Sequence, residues 1–338
     1  MILPGRWTSG PGMAGQALSG VSFPVVVREN PVRTSARWVT RQARYVRLDE
    51  GGLHSLAHRL EEASVPAWEG RYHFQGDEEL TCRYLLVLDA LNFCFWPGKA
   101  KWTVSGPEGE SLTGYFALAC ALRRAAEKAP DFYEPRNLAA LDEGGLGEVL
   151  GEIPLLRMRV RAAREVGQLL FRFGSAREFF LAARGSCRRL VELVTAHLPS
   201  FRDAAMYRGR EVFFHKRAQI LCADLYGAFP GEGLGDLRDL DWLTAFADYK
   251  LPQLLRAQGV LLLDAGLAAR IDRLEPIPAG SPEEVELRAA TVAAVEELVR
   301  LLRLRGRPLR AFEVDWMLWH LAQGDLPFPH HRTLTPFY

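Results

Sequence analysis

The chain has 338 residues, 48% of them hydrophobic and 25% charged, which is an ordinary globular composition and enough length to bury a large core. Its 42 basic and 41 acidic side chains leave a net charge of +1, so the basic surplus typical of a nucleic-acid binder is missing. No apolar run reaches membrane-spanning length, and the five cysteines form no CxxC pair, which points to reduced thiols in a cytoplasmic setting.

The first twenty residues are rich in Gly, Pro and Ser and lack the apolar core of a signal peptide, so they read as a flexible lead-in. Residues 21–338 read as one mainly α-helical domain, with two lobes and a site between them as one arrangement of it. His54 and His58 have the i,i+4 spacing that suits zinc, but no glutamate intervenes in the HExxH manner and no metal is expected. The aromatic run Leu91-Asn92-Phe93-Cys94-Phe95-Trp96-Pro97 reads as core, except that Asn92 needs hydrogen bonds from backbone or from a ligand.

Trp102-Thr103-Val104 and Tyr115-Phe116, flanking a Gly-Pro turn, predict a small β-hairpin. Gly144, Gly145, Gly147 and Gly151 fail the dinucleotide fingerprint and are expected to form a flexible connector. Pro154 opens an amphipathic helix with Val160, Ala163, Val166 and Leu170 on one face, ending at Gly174. Ser175-Ala176-Arg177-Glu178 is a capping box for the next helix, which Gly185 closes.

A helix is expected through Phe213, Phe214, Arg217, Ile220 and Leu225. On it, the neighbours Lys216 and Arg217 point about 100° apart. A solvated pair is the plain reading and a phosphate contact the sharper one.

In Thr244-Ala245-Phe246-Ala247-Asp248-Tyr249-Lys250-Leu251-Pro252, the four-residue spacing of Trp242 and Phe246 suggests a shared helical face. Leu251 is expected outside the helical region because a proline follows, with Pro252 opening the next helix. Asp248 then sits at a helix junction, either as a cap or as a functional carboxylate favoured in its ionised form.

Ser281-Pro282-Glu283-Glu284 marks a long helix carrying Val292, Val295, Val299 and Leu302, stopped at Gly306. In Val314-Asp315-Trp316-Met317-Leu318-Trp319-His320, Asp315 and Trp319 share a helical face, and a buried carboxylate there needs either a protein partner such as arginine or a ligand. The tail holds His330, His331 and Arg332, a pattern suited to a metal or an anion but common on surfaces.

These clusters, in this order, resemble the queuosine salvage protein family, the queuosine 5′-phosphate N-glycosylases/hydrolases. The resemblance lies in LNFCFWPG (91–98), FFHKRAQILCADLYG (213–227), FADYKLPQ (246–253), ELRAATVAAVEEL (286–298), VDWMLWHLAQ (314–323) and HHRTLTPFY (330–338). It runs from about residue 30 to residue 338. The resemblance implies a helical, DNA-glycosylase-like architecture and cleavage of the base–ribose bond of queuosine 5′-phosphate. Queuine would be released for reuse in tRNA modification.

It further implies Asp248 as the catalytic group and Asp315 as a substrate-binding aspartate, with His73 matching a binding histidine. It brings in no metal or organic cofactor. Phe246, Trp96 and Trp319 are then expected to bound the base, with Asn92, Tyr249 and His320 also at the substrate. The 5′-phosphate is expected on Lys216 first, then on Arg217 or His331. The expected partner is a small nucleotide, with no nucleic acid and no membrane. The competing readings are a glycosylase acting on a base within a polynucleotide and a non-catalytic helical interaction protein.

Overall fold

The computed structural model describes residues 29–97 and 101–338, so the expected lead-in lies outside the described residues. Side chains at helix starts fix much of the first part. Asn30 caps α1 (Pro31–Thr40), and Asp49 caps α2 (Glu50–Leu60) just after the short strand β1 (Val46–Leu48). Asp77 caps α3 (Glu78–Leu91), and each of these caps accepts a hydrogen bond from an orphan first-turn N–H.

The hairpin β2 (Thr103–Ser105) and β3 (Ser111–Thr113) leads into α4 (Gly114–Lys128). Then come α5 (Pro135–Ala140), α6 (Glu143–Leu150), α7 (Leu156–Phe173), α8 (Ala176–Ala182) and α9 (Cys187–His197). A second hairpin, β4 (Ala204–Tyr207) and β5 (Arg210–Phe213), precedes α10 (Lys216–Ala228). The chain continues through α11 (Lys250–Ala257), β6 (Leu261–Leu263), α12 (Ala265–Asp272), α13 (Pro282–Leu304) and α14 (Ala311–Leu321). The architecture is mainly helical, and among the described residues the strands form three antiparallel pairs, β1·β6, β2·β3 and β4·β5.

Three apolar clusters organise these elements. In the first, α3 is buried around nearly its whole circumference and packs against α4, α7, α8 and α10. The second joins α2, α11, α13 and α14, and the third joins α1, the β4–β5 hairpin and another face of α13. Each fully buried leucine or valine in them contributes roughly 1.5–3 kcal/mol. All five cysteines are free and buried in or beside these clusters. Among the described residues, no helix is long and apolar enough to cross a membrane.

Ser281 caps α13 through the Glu284 N–H, and Ser175 caps α8 through that of Glu178, as their sequences predict. Gly174 ends α7 at φ 84°, a conformation that suits glycine.

Other segments differ from expectation. The second hairpin strand is Ser111–Thr113, and Tyr115 and Phe116 open α4 instead. The glycines at 144, 145 and 147 lie inside α6, whose start is capped by Asp142. Phe213 ends a strand and His215 takes a left-handed conformation, so α10 begins only at Lys216. The missed hairpin turns at Arg208-Gly209, both at positive φ.

The largest departure is at 243–248, which is extended rather than helical; only Leu240–Trp242 makes a 3₁₀ turn. Its backbone is satisfied by side chains from elsewhere. Gln219 Oε1 accepts from the Thr244 N–H at 2.9 Å and Asp315 Oδ1 from that of Phe246 at 2.8 Å. Arg33 donates to the Leu243 carbonyl at 3.1 Å and Arg288 Nε to that of Ala247 at 3.1 Å. Tertiary partners thus replace the helical ladder.

Three successive residues of this segment enter three different cores: Ala245 the second, Phe246 the first and Ala247 the third. Asp248 is delivered at their junction. Leu251 is helical after all, because α11 starts at Lys250 and Pro252 occupies a first-turn position that needs no N–H donor.

Candidate active site

A cavity of about 480 Å³ opens where these elements meet. Lys216, Ile220 and Asp224 reach it from α10 at i, i+4 and i+8, one helical face. Asp315, Trp316, Trp319 and His320 reach it from one face of α14. The irregular segment after α3 supplies Asn92, Phe95 and Trp96, and the start of α4 supplies Tyr115 and Phe116. Trp68 and His73 close one side, their rings stacked at 4.2 Å. Gly227 on α10 has no room for a β-carbon, which would come within 2.4 Å of the Trp68 ring.

Asp248 is 7% exposed and lines the cavity. Its Oδ1 accepts from the N–H groups of Lys250 at 2.8 Å and Leu251 at 2.9 Å. The carboxylate therefore caps α11 with one oxygen and leaves Oδ2 to the cavity, which bears out the cap reading. Burial raises its pKa above the ordinary value, opposed by the positive charge of Lys216 and by the two helix N–H groups.

Burial likewise lowers the pKa of Lys216, with Asp248 the main opposing influence. Its Nζ donates to the Asn92 carbonyl at 3.3 Å. Among the described residues Asp315 has no arginine partner; its Oδ1 accepts from the Phe246 N–H, and burial lifts its carboxyl to about 8.

Asp224 Oδ1 accepts from Trp68 Nε1 at 3.1 Å and Oδ2 from the Tyr115 hydroxyl at 2.6 Å, while burial raises it to about 6. His73 is held neutral by burial, which drops it to about 3, and its Nδ1 lies 3.1 Å from the Tyr84 hydroxyl. Behind the wall, burial and the charge of Asp224 push Asp89 well above the carboxylate range.

The cavity gathers Asp248, Phe246, Tyr249, Asp315, Trp319 and Lys216, and also His73, Asn92, Trp96 and His320. Two anticipated residues are elsewhere. Arg217 is fully buried and donates to the carbonyls of Asp89, Ala90 and Ser200, clamping the end of α3 to α10. His331 lies 3.3 Å from the Tyr338 hydroxyl, outside the lining, and His330 takes the place expected of it. Neither Lys216 nor Arg217 is solvated, so the plain reading of that pair fails: both sit on a helix buried on most sides.

Trp68, Tyr115, Asp224 and Lys250 were not anticipated, whereas His330 belongs to the tail pair expected to suit an anion. The eight-residue spacing from Lys216 marks Asp224 on the same face, whereas nothing local in the sequence points to Trp68 or Tyr115.

His58 pairs with Glu61 on the exposed side of α2. Among the described residues no group of three His, Cys, Asp or Glu side chains is arranged to hold a metal ion. A larger trough of about 910 Å³ runs along α7, lined by Arg157, Arg161, Arg164 and Arg172; the first two pair with Glu143 and Glu165, and the last two donate to the carbonyls of Leu141 and His197.

The model of the family described as "Queuosine salvage protein" matches residues 72–338. The chain belongs to the queuosine salvage protein family. The queuosine 5′-phosphate N-glycosylase/hydrolase of Sphaerobacter thermophilus is 46% identical over 318 residues, spanning 91% of this chain and 97% of that protein. The protein of the same name from Dictyostelium discoideum is 36% identical over 91% of this chain and 98% of its own length. That from Nematostella vectensis is 31% identical over 90% and 98%. The span matched by the queuosine salvage model includes Asp248, Asp315, Lys216 and His73, and stops short of Trp68.

Proposed function

We propose that this chain hydrolyses the N-glycosidic bond of queuosine 5′-phosphate, adding water to release queuine and ribose 5-phosphate, with queuine then available for tRNA modification. The observation that carries this reading is the Asp248 carboxylate, capped on one oxygen and open on the other, in an aromatic-walled cavity. As the base leaves, positive charge grows on the ribose ring, and a fixed carboxylate in a site of low polarity stabilises it strongly. Lys216 and the start of α11 act against the burial that raises its pKa, and so favour the ionised form.

The flat base lies among Phe246, Trp96 and Trp319. Asp315 receives the cationic amine of the base's cyclopentenediol arm; a bound cation converts its neutral carboxyl to the ionised form. His73, a neutral ring stacked on Trp68, bounds the base edge, and Asn92, Tyr249 and His320 complete the enclosure. His320 Nδ1 lies 2.8 Å from the Trp316 carbonyl oxygen, and its Nε2 faces a carboxylate oxygen of Glu69 at 3.9 Å.

The near-zero net charge favours a free nucleotide over a polynucleotide. The test is incubation of the protein with queuosine 5′-phosphate and mass detection of the base. Stoichiometric release of queuine is expected, and its absence ends the reading.

A further inference from the structure

The side of the cavity that carries Trp68 and His73 is neither helix nor strand. Residues 61–77 join α2 to α3 as an irregular run. Turns within it, such as the Tyr72 N–H on the Glu69 carbonyl at 3.0 Å, tie it only to itself. Its shape therefore depends on side chains that reach it from the helices around it. Tyr72 packs on Phe116 with the rings 4.7 Å apart, an apolar contact that has little direction.

Asp224 makes a directional one. It is 3% exposed on α10, and each of its oxygens already has a donor: Trp68 Nε1 from the irregular run and the Tyr115 hydroxyl from α4. Burying a carboxylate is costly, and a neutral acceptor could also receive two neutral donors. What the charge adds is strength, because charge-assisted bonds are roughly twice as strong as neutral ones. Three residues on, and on the same helical face, Gly227 leaves the space that the indole of Trp68 fills. Thus α10 makes room for the ring and also holds its N–H. Trp68 in turn lies flat on His73 at 4.2 Å, so the contacts run from Asp224 through Trp68 to His73 and the cavity.

We infer that Asp224 is a positioning residue, which through Trp68 holds the 61–77 segment against α10 and sets the His73 ring where it bounds the base. Asp224 itself stays off the ligand, its oxygens being committed to protein donors. This rests on the nucleotide-hydrolase reading and names what fixes the shape of the base end of the site.

The test pairs a ligand with a ligand-free reading. Asp224→Asn is nearly isosteric but loses the charge and one acceptor. Gly227→Ala keeps every polar group and favours the helix, yet its methyl group displaces the indole. Both are expected to weaken binding of free queuine, measured by calorimetry, by about tenfold, the size of one charge-assisted hydrogen bond. In the ligand-free variants, backbone hydrogen exchange should quicken over 61–77 and stay as in the wild type along α13. In a Trp68→Phe background, Asp224→Asn should add almost nothing to the loss of affinity, because its effect passes through the indole.

Weaker queuine binding in Asp224→Asn with exchange over 61–77 unchanged would mean that Asp224 meets the ligand itself, and would overturn the inference. Full additivity with Trp68→Phe would overturn it too, as would quicker exchange with affinity intact. Should Asp224→Asn fail to fold, Trp68→Phe breaks the same bond from the other side, and the same two readings decide. If the wild-type protein neither binds nor releases queuine, the functional reading fails, and exchange over 61–77 still decides whether Asp224 holds that segment.

Discussion

Arg288 Nε donates to the carbonyl oxygen of Ala247, one residue before Asp248, at 3.1 Å. The same guanidinium holds Asp203 with two bonds of 2.8 and 2.6 Å, and Asp203 Oδ2 accepts from the Lys216 N–H at 3.1 Å. One buried pair therefore fixes both the segment carrying Asp248 and the start of the helix carrying Lys216. Arg288→Met leaves Asp203 charged, buried and unpaired, and is expected to cost about 3–5 kcal/mol of stability. Urea unfolding of the variant should show the loss in the midpoint, and an unchanged midpoint would contradict the account.

Asp248→Asn retains an oxygen that accepts from the Lys250 and Leu251 N–H groups, so the cap survives and the charge is lost. The expected result is a fall in kcat of about 10³-fold or more, roughly 4 kcal/mol of barrier, with queuosine 5′-phosphate still bound. Single-turnover release of queuine checks it, and near-normal release would remove Asp248 from the chemistry.

Lys216→Met removes the cation that acts most strongly on Asp248. The Asp248 pKa then rises further, so the acidic limb of the kcat/KM profile moves to higher pH. A profile that loses amplitude without moving would mean that Lys216 acts in some other way.

Asp315 gives a stability test. Its folded carboxyl titrates at about 8, against an ordinary value of 3.8. Between those values the folded state binds a proton that the unfolded state does not, so ligand-free stability contributed by this group falls as pH rises through the window. The slope is at most about 1.4 kcal/mol per pH unit. Asp315→Asn should flatten the decline measured by urea unfolding from pH 5 to 8. It should also weaken binding of free queuine, and parallel stability curves for the two proteins would contradict the burial argument.

Capping and periodicity made the long helices legible. Ser281, Ser175 and Gly174 act through neighbours within four residues, so their signals are local. The extended course of 243–248 was not legible, because its hydrogen bonds come from Gln219, Arg33, Arg288 and Asp315, residues far away in the chain. Short motifs named most of the cavity lining. Arg217 and His331 were misplaced for a physical reason: a charged or polar side chain next to a pocket residue in sequence points to another side of its helix or loop. Trp68 and Tyr115 were invisible because their role depends on Asp224, which joins them only in three dimensions.

The burial of the five cysteines has a practical meaning. Burial raises the thiol pKa of Cys82, Cys94, Cys120 and Cys222, which suppresses the reactive thiolate as well as shielding it. Alkylation in native buffer therefore times structural opening rather than surface chemistry. Cys94 is bound through its N–H to the Tyr338 carbonyl at 2.8 Å, whereas Cys82, Cys120, Cys187 and Cys222 are packed in the helical interior. Residue-resolved labelling would thus separate detachment of the 330–338 segment from global unfolding, in an unmodified protein.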